Sequence, residues 1–298
     1  MTTIVNSDAP TPKQVNAGLV RRRLVPLIII LLGIAILSYP VVATYLANSK
    51  QSSAAQAYSQ TIVDNTTQEE RDEAIRRAHE WNENHAGGPV LDPWLARVDK
   101  SNLEYQEYLS QLDLADVMGR IVIPKIKSDL PVYHGTDEET LNRGIGHLYG
   151  SSLPVGGEST HAVLTGHTGL SHATLWDNLT DVEKGDGIYL SVAGQKMKYE
   201  VTDINVVLPN ETDLLKPEAG ADKLTLITCT PYGVNSHRLL VTGHRVPLDD
   251  EEADQILEQS YTPWQWWMTL VAVIVAAVLI ATFVWFMKQR RRASEQGE

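Results

Sequence analysis

Residues 224–245 read LTLITCTPYGVNSHRLLVTGHR, and Cys229 within them is the only cysteine in a chain of 298 residues. The apolar and β-branched run 224–228 predicts a buried strand that ends near Cys229, because the Pro and Gly in residues 230–233 indicate a loop. A second strand is predicted to begin at Arg238, so the chain returns beside Cys229 and brings an arginine toward the sulfur. A positive neighbour of this kind is expected to favour the thiolate form of the cysteine.

Cys229 has two interpretations. A lone cysteine is most often a small buried apolar side chain. Here, however, polar Thr228 and Thr230 flank the thiol, and a candidate base, His167, lies upstream in a glycine-flanked turn after the apolar run 162–164. A single Cys with a distant His is the usual form of a nucleophile and its base. An imidazole can give and take a proton near neutral pH, so the pair predicts nucleophilic catalysis.

Residues 225–241 closely resemble the signature of the class C sortases, the pilus-assembling sortases of Gram-positive bacteria. The resemblance covers roughly residues 47–246 and the apolar segments on either side. It implies a mostly β fold, an eight-stranded sortase-type β-barrel with an N-terminal helical and lid segment and two flanking transmembrane helices. Short β-rich runs separated by Pro, Gly and Asn also suggest a closed barrel. The predicted strands are 119–123, 130–133, 161–165, 187–192, 198–207, 224–228 and 239–246.

The three residue types and the resemblance together imply a cysteine transpeptidase. Cys229 is expected to attack a peptide carbonyl and form a thioester, while Arg238 steadies the oxyanion or binds the substrate backbone. His167 is expected to protonate the leaving amine and then to deprotonate the incoming one. Arg245 and Arg143 are rival arginines, but Arg238 stands at the position that matches the family.

The residue types alone do not distinguish acyl transfer to an amine from transfer to water. The resemblance implies cleavage of a Leu-Pro-x-Thr-Gly-like sorting signal after the Thr, and transfer of the acyl group to a lysine of the next pilin subunit. Three alternatives remain: a housekeeping sortase that joins proteins to peptidoglycan, a membrane-held cysteine protease, and a non-catalytic surface scaffold. The intact set of Cys229, His167 and Arg238 counts against the scaffold.

Composition and charge exclude several other classes of protein. The net charge is −12, and the basic residues concentrate in the tails 1–23 and 288–298, whereas nucleic-acid binding needs a basic face on the folded domain. One cysteine excludes an intramolecular disulfide and a cysteine cluster for zinc. With no His-x-x-x-His spacing among nine histidines, no metal or other cofactor is expected. Among those histidines, His85, His134 and His161 are expected on the surface or in loops, and His147, His172, His237 and His244 lie away from the matching catalytic position.

Two uncharged apolar runs are long enough to cross a bilayer. The first, residues 24–46, follows three arginines and is predicted to be a transmembrane anchor. A cleaved signal peptide is the alternative, although the run exceeds a usual signal core and residues 43–47 offer only a weak small-residue site. The second run, residues 264–287, has tryptophans at both ends and a basic cluster after it.

The basic clusters beside these runs predict the orientation of the chain. Lys and Arg favour the cytoplasmic side, so the tails 1–23 and 288–298 are expected inside the cell and residues 47–263 outside. Within the outer part we expect a helical segment at 47–115, the catalytic barrel at 116–248 and a linker at 249–263.

The helical segment contains a candidate lid. Residues 66–70 offer a helix start, and Gly87, Gly88 and Pro89 end the helix before Asp92, Pro93 and Trp94. Asp-Pro is common in ordinary turns. In class C sortases, however, an Asp-Pro-aromatic motif lies on a lid over the active site. The resemblance therefore implies Asp92 near Arg238 and Trp94 against Cys229. The flexible pair Gly87 and Gly88 just upstream is expected to serve as the hinge.

Overall fold

The computed structural model describes residues 17–85, 91–94, 98–259, 261 and 264–295. The chain divides into two units, of which one comprises residues 43–264 and the other the described parts of residues 1–42 and 265–298. The larger unit contains every strand of the described chain. It also contains all the residues that the sequence predicts for the active site and lid.

The larger unit is built on a closed barrel, whose strands follow the order β1-β2-β3-β4-β7-β8-β6-β5 within the described residues. This confirms the predicted fold class, and each of the seven runs predicted as strands lies within a strand. The eighth, β3, escaped the sequence pattern because it has only three residues. The strands are β1 (Gly119–Ile123), β2 (Ser128–His134), β3 (Ile145–His147), β4 (Thr160–Thr165), β5 (Gly187–Val192), β6 (Gln195–Val207), β7 (Asp222–Thr230) and β8 (His237–Val246).

Helices precede, interrupt and follow the barrel. The helix start predicted at 66–70 is confirmed, because Thr67 and Glu70 cap α2 reciprocally: the Glu70 amide donates to Thr67 Oγ1 at 3.2 Å and the Thr67 amide to Glu70 Oε2 at 2.8 Å. The stretch treated as a linker contains helix α5. The α-helices are α1 (Ala17–Asn65), α2 (Gln68–His85), α3 (Leu103–Leu109), α4 (Glu138–Arg143), α5 (Asp250–Glu258) and α6 (Trp266–Glu295).

Two of these helices are long and apolar enough to cross a membrane. The candidate spans are Leu24–Asn65 and Trp266–Arg291; the first contains the apolar run 24–46, and the second contains the run 264–287 except its first two residues. Their length and composition fit membrane anchoring.

The interior of the barrel is the main apolar core, and the helices α2 and α3 extend it. Ala78, Trp81 and Tyr108 from these helices belong to the same buried cluster as strand residues such as Ile121 and Leu226. Full burial of a large apolar side chain contributes about 1.5–3 kcal/mol. The helical segment before the lid is therefore part of the folded body.

Two histidines are fully buried, which corrects the expectation that His161 lies on the surface or in a loop. His161 lies in β4, where its Nε2 pairs with Thr225 Oγ1 at 2.7 Å and its Nδ1 with the Lys216 carbonyl at 3.1 Å. His147 in β3 pairs with Tyr108 Oη at 2.9 Å and with the Ser152 carbonyl at 2.8 Å. Burial lowers the pKa of each imidazole to about 4.

The buried histidines predict a loss of stability on acidification. In the unfolded chain a histidine has a pKa of about 6.5, so His147 and His161 bind protons more readily when the chain unfolds. Their contribution is complete above about pH 6.5 and is lost as the pH falls toward 4, which should lower the free energy of unfolding by up to a few kcal/mol. Denaturant unfolding at pH 7 and pH 4.5 measures this change.

A variant at His161 separates the contribution of the buried histidines to acid stability from the contribution of carboxylates, which titrate at lower pH. His161→Gln should give a shallower dependence of unfolding free energy on pH, because the amide cannot bind the extra proton. His172→Gln, at an exposed histidine, is the matched control and should leave the dependence unchanged. Equal slopes for the two variants would show that the burial of His161 does not govern acid stability.

Candidate active site

The pairing of β7 with β8 places Cys229 directly opposite Arg238. Side chains that are directly opposite in an antiparallel pair point to the same face, with Cβ atoms about 4.5–5.5 Å apart. Ile227 and Leu240 share a small apolar cluster that is separate from the main core containing Leu226. Because side chains alternate along a strand, Cys229 and Arg238 project to the outer face of the barrel with that cluster.

His167 is brought to the same place by the neighbouring strand β4, which runs parallel to β7. The Gly166 amide donates to the Ile227 carbonyl at 3.0 Å, and Thr228 Oγ1 donates to the Gly166 carbonyl at 2.8 Å. The residue before His167 is therefore bonded to the residue before Cys229. A side chain at position 166 would come within 2.7 Å of Trp176, so glycine is needed for this close approach.

The predicted lid residues lie over this constellation. Arg238 Nε donates to Asp92 Oδ2 at 2.6 Å and Nη2 donates to Asp92 Oδ1 at 3.1 Å, so the two groups form a bidentate pair. Arg238 Nη1 also donates to the Asn235 carbonyl at 3.2 Å. The Trp94 ring lies 4.7 Å from the guanidinium carbon, and Trp94 Nε1 donates to His167 Nδ1 at 3.4 Å. Asp92 and Trp94 thus engage the arginine and the histidine together.

The predicted placements of the lid residues have different outcomes. Asp92 does lie against Arg238. The Trp94 ring packs on Arg238, beside His167 and against the apolar cluster of Ile227 and Leu240, and its predicted contact with Cys229 stays a prediction. Pro93, which lies between Asp92 and Trp94 in the chain, is also buried. The proposed hinge at positions 87 and 88 lies outside the described residues.

The electrostatics of Cys229 correct the expectation of a thiolate. Burial raises the pKa of the thiol; Arg238 opposes this effect, whereas Asp92 adds to it. The arginine is thus present as predicted, but burial and the nearby carboxylate outweigh it. Burial also lowers the pKa of His167, with partial opposition from Glu138. In this conformation the site therefore favours a neutral thiol and a neutral imidazole.

The two rival arginines lie elsewhere on the barrel. Arg245, at the far end of β8, has its guanidinium 5.5 Å from the centre of the Tyr199 ring. Arg143 is the last residue of the short helix α4, and its guanidinium carbon lies 4.5 Å from the centre of the Tyr133 ring. Arg238 is therefore the arginine beside Cys229. As for metals, no group of three or more His, Cys, Asp or Glu side chains in the described residues could hold an ion.

The sequence did not reveal how the site is held together. Thr228 was noted only as a polar neighbour of the thiol, and its bond to the Gly166 carbonyl joins residues 62 positions apart. Asp177 was not noted at all, yet it bonds the turn that carries His167. Neither bond has a local sequence signal, because the first depends on the register of β4 beside β7 and the second on the conformation of the connection between β4 and β5.

Comparison with known proteins identifies relatives with this architecture. The sortase domain family matches residues 121–246. Sortase A of Bacillus anthracis is 31% identical over 153 residues, which are 50% of this chain and 71% of that protein. The structure of sortase C-1 from Actinomyces oris is 58% identical and covers 60% of this chain and 99% of that chain, with a TM-score of 0.59. The structure of Streptococcus pneumoniae sortase C is 38% identical and covers 66% of this chain and 97% of that chain, with a TM-score of 0.60.

The barrel and these similarities define the protein as a cysteine transpeptidase. The chain belongs to the sortase family, and its similar solved structures include class C sortases. Members of this family act on sorting signals of the Leu-Pro-x-Thr-Gly type.

The contacts of Asp92 predict how the reactivity of the thiol will change. Asp92→Ala removes a carboxylate that raises the pKa of Cys229, so the pKa should fall and the thiolate fraction at pH 7 should rise about tenfold for each pKa unit. The rate of alkylation by a small thiol reagent measures this fraction, and Cys229 is the only thiol in the chain. Asp99→Ala, which changes an exposed acid seven residues along, is the control. Equal alkylation rates for Asp92→Ala and the control would contradict the role given to this carboxylate.

Proposed function

We propose that this sortase polymerises pilin subunits. It cleaves a Leu-Pro-x-Thr-Gly-like signal after the Thr and joins the new carboxyl end to a lysine of another pilin through an isopeptide bond. The observation that carries the proposal is the Asp92–Arg238 pair, which places an Asp-Pro-aromatic segment on the outer face beside Cys229. Support also comes from the similarity to Streptococcus pneumoniae sortase C, a structure described in terms of pilin substrate specificity.

Formation of the acyl-enzyme requires a proton to leave Cys229. When the sorting signal enters, the thiol proton passes to His167, and the sulfur attacks the Thr carbonyl carbon. Arg238, released from Asp92, donates to the oxyanion as the tetrahedral intermediate forms. The imidazolium of His167 then gives its proton to the leaving Gly nitrogen, so the peptide bond breaks and a thioester to Cys229 remains.

The second half of the reaction reverses these proton movements. A neutral lysine amine attacks the thioester carbonyl, and His167 takes one of its protons. Collapse of the intermediate releases the thiolate, which recovers the proton from the imidazolium. The product is an amide, and Cys229 and His167 return to the neutral pair that this conformation favours.

Co-expression with candidate pilins tests the proposed reaction. We expect a ladder of covalent multimers from the wild type and none from Cys229→Ala. Arg238→Lys should be severely impaired, because lysine keeps the charge but loses the bidentate fork. Arg245→Lys is the matched control and should keep near wild-type activity, since Arg245 lies at the Tyr199 ring. A ladder from Cys229→Ala would refute the proposed chemistry.

The products also separate the alternative functions. A cysteine protease would yield free carboxylates whether or not an amine is supplied, whereas a transpeptidase needs the amine for its conjugate. A housekeeping sortase would transfer the signal to a peptidoglycan-type amine and give no pilin ladder. Either result in place of the ladder would replace the proposal by that alternative.

We further propose that Asp92, Pro93 and Trp94 act as a lid. In the contacts described above, Asp92 occupies the guanidinium fork that the substrate or the oxyanion needs, and Trp94 covers His167. The double variant Asp92→Ala with Trp94→Ala should therefore turn over short sorting peptides faster than the wild type while the barrel remains folded. Unchanged peptide turnover, together with unchanged alkylation of Cys229, would reduce the segment to an ordinary turn.

We propose a two-span topology for the membrane helices, with both termini in the cytoplasm and residues 47–263 outside. Support comes from the two apolar helices and from the basic clusters that lie between each apolar run and the nearer chain terminus. In protease protection of intact cells, the outer segment should be digested and a tag at the C-terminus should be shielded. Labelling of that tag by an impermeant reagent would contradict this topology.

A further inference from the structure

We propose that Asp177 is a positioning residue that holds the turn carrying His167. The Asp177 carboxylate bonds the two residues that follow the histidine: Thr168 Oγ1 donates to Asp177 Oδ1 at 3.1 Å, and the Gly169 amide donates to the same oxygen at 2.7 Å. The inference rests on the proposed role of His167 in proton transfer. Asp177 acts on His167 indirectly, by holding the backbone of the turn.

The turn needs such a bond because the ladder of β4 ends just before it. Gly166 makes the last bond to β7, and the chain then turns away through Gly169, whose φ of +79° is in the left-handed region. The His167 carbonyl accepts from the Trp176 amide at 3.1 Å. This bond and the two bonds to Asp177 close the loop on itself immediately after the histidine.

Asp177 is itself fixed to the body of the protein. Its neighbour Trp176 is fully buried in the main core. The Asp177 amide donates to the Thr174 carbonyl at 2.9 Å. Thr174 in turn exchanges two hydrogen bonds with the side chain of Asn48 on α1, at 2.8 and 3.0 Å. The carboxylate therefore links the turn to the buried core and to α1.

The held turn borders the loop that follows Cys229. A side-chain carbon at Gly169 would lie 3.6 Å from the Gly233 amide nitrogen, so the turn after His167 and the loop between β7 and β8 are in contact. A shift of the turn would change the separation of the imidazole from the sulfur. A misplacement of about 1 Å in a catalytic group can reduce the rate about 100-fold.

Steady-state kinetics with a sorting-signal peptide test the inference. Asp177→Ala should lower kcat by about 10- to 100-fold and leave KM within about twofold, because the turn positions the proton-transfer group and does not hold the peptide. Asp177→Asn keeps an oxygen acceptor in the same place and should recover most of kcat. Asp181→Ala, at an exposed acid on the same connection, is the control and should match the wild type.

Two further readouts separate positioning from a general structural role. Alkylation of Cys229 should proceed at the wild-type rate in Asp177→Ala, while amide hydrogen exchange should rise in residues 167–170 and stay unchanged in β7. If Asp177→Ala fails to fold, Thr168→Val removes one bonded hydroxyl and should lower kcat severalfold, with Thr168→Ser restoring it. The inference is overturned if kcat and amide hydrogen exchange in Asp177→Ala equal those of the wild type. The same result in Thr168→Val overturns it if that variant is used instead. A wild-type protein with no activity on the peptide would instead reject the proposed function.

Discussion

The arrangement of the site depends on the central position of β7 between β4 and β8. The antiparallel partner sets Arg238 opposite Cys229, and the parallel partner ends at the turn that carries His167. Because side chains alternate along a strand, a shift of one residue in either register would move a side chain to the other face of the barrel. Buried bonds across these strands, such as that between Thr228 and the Gly166 carbonyl, fix the register and hence the geometry of the three groups.

The Asp92–Arg238 pair defines the state in which the structure is found. A buried ion pair gains attraction but loses hydration, so its net contribution to stability is small even when its geometry is good. Such a pair can hold a segment over the site and still yield to a substrate that offers the arginine comparable bonds. While it is in place, burial and the carboxylate keep the pKa of Cys229 high and burial keeps that of His167 low. The neutral thiol and neutral imidazole follow from the same contacts that cover them.

The sequence predicted the parts of this protein that have local signals. Alternating β-rich runs and turn residues located seven strands, whereas three-residue β3 gave no such pattern. His161 was misjudged because the bonds that satisfy its ring come from Lys216 and Thr225, more than 50 residues away. The charge state of Cys229 was misjudged because the residues next to it in the sequence reveal neither the burial of the thiol nor the proximity of Asp92. The placement of Asp92 near Arg238, across 146 residues, came only from the resemblance to class C sortases.

In the proposed reaction, Cys229 forms a thioester with the sorting signal when Asp92 releases Arg238. Mass spectrometry of the protein after an acid quench from a sorting-signal peptide tests this claim most directly. We expect an adduct on the fragment that contains Cys229, with an added mass equal to that of the peptide up to and including its Thr, as the free acid, less one water. We also expect more adduct to accumulate in Asp92→Ala than in the wild type. Cleaved peptide without any adduct on that fragment, or an adduct on another residue, would show that Cys229 does not form the proposed thioester.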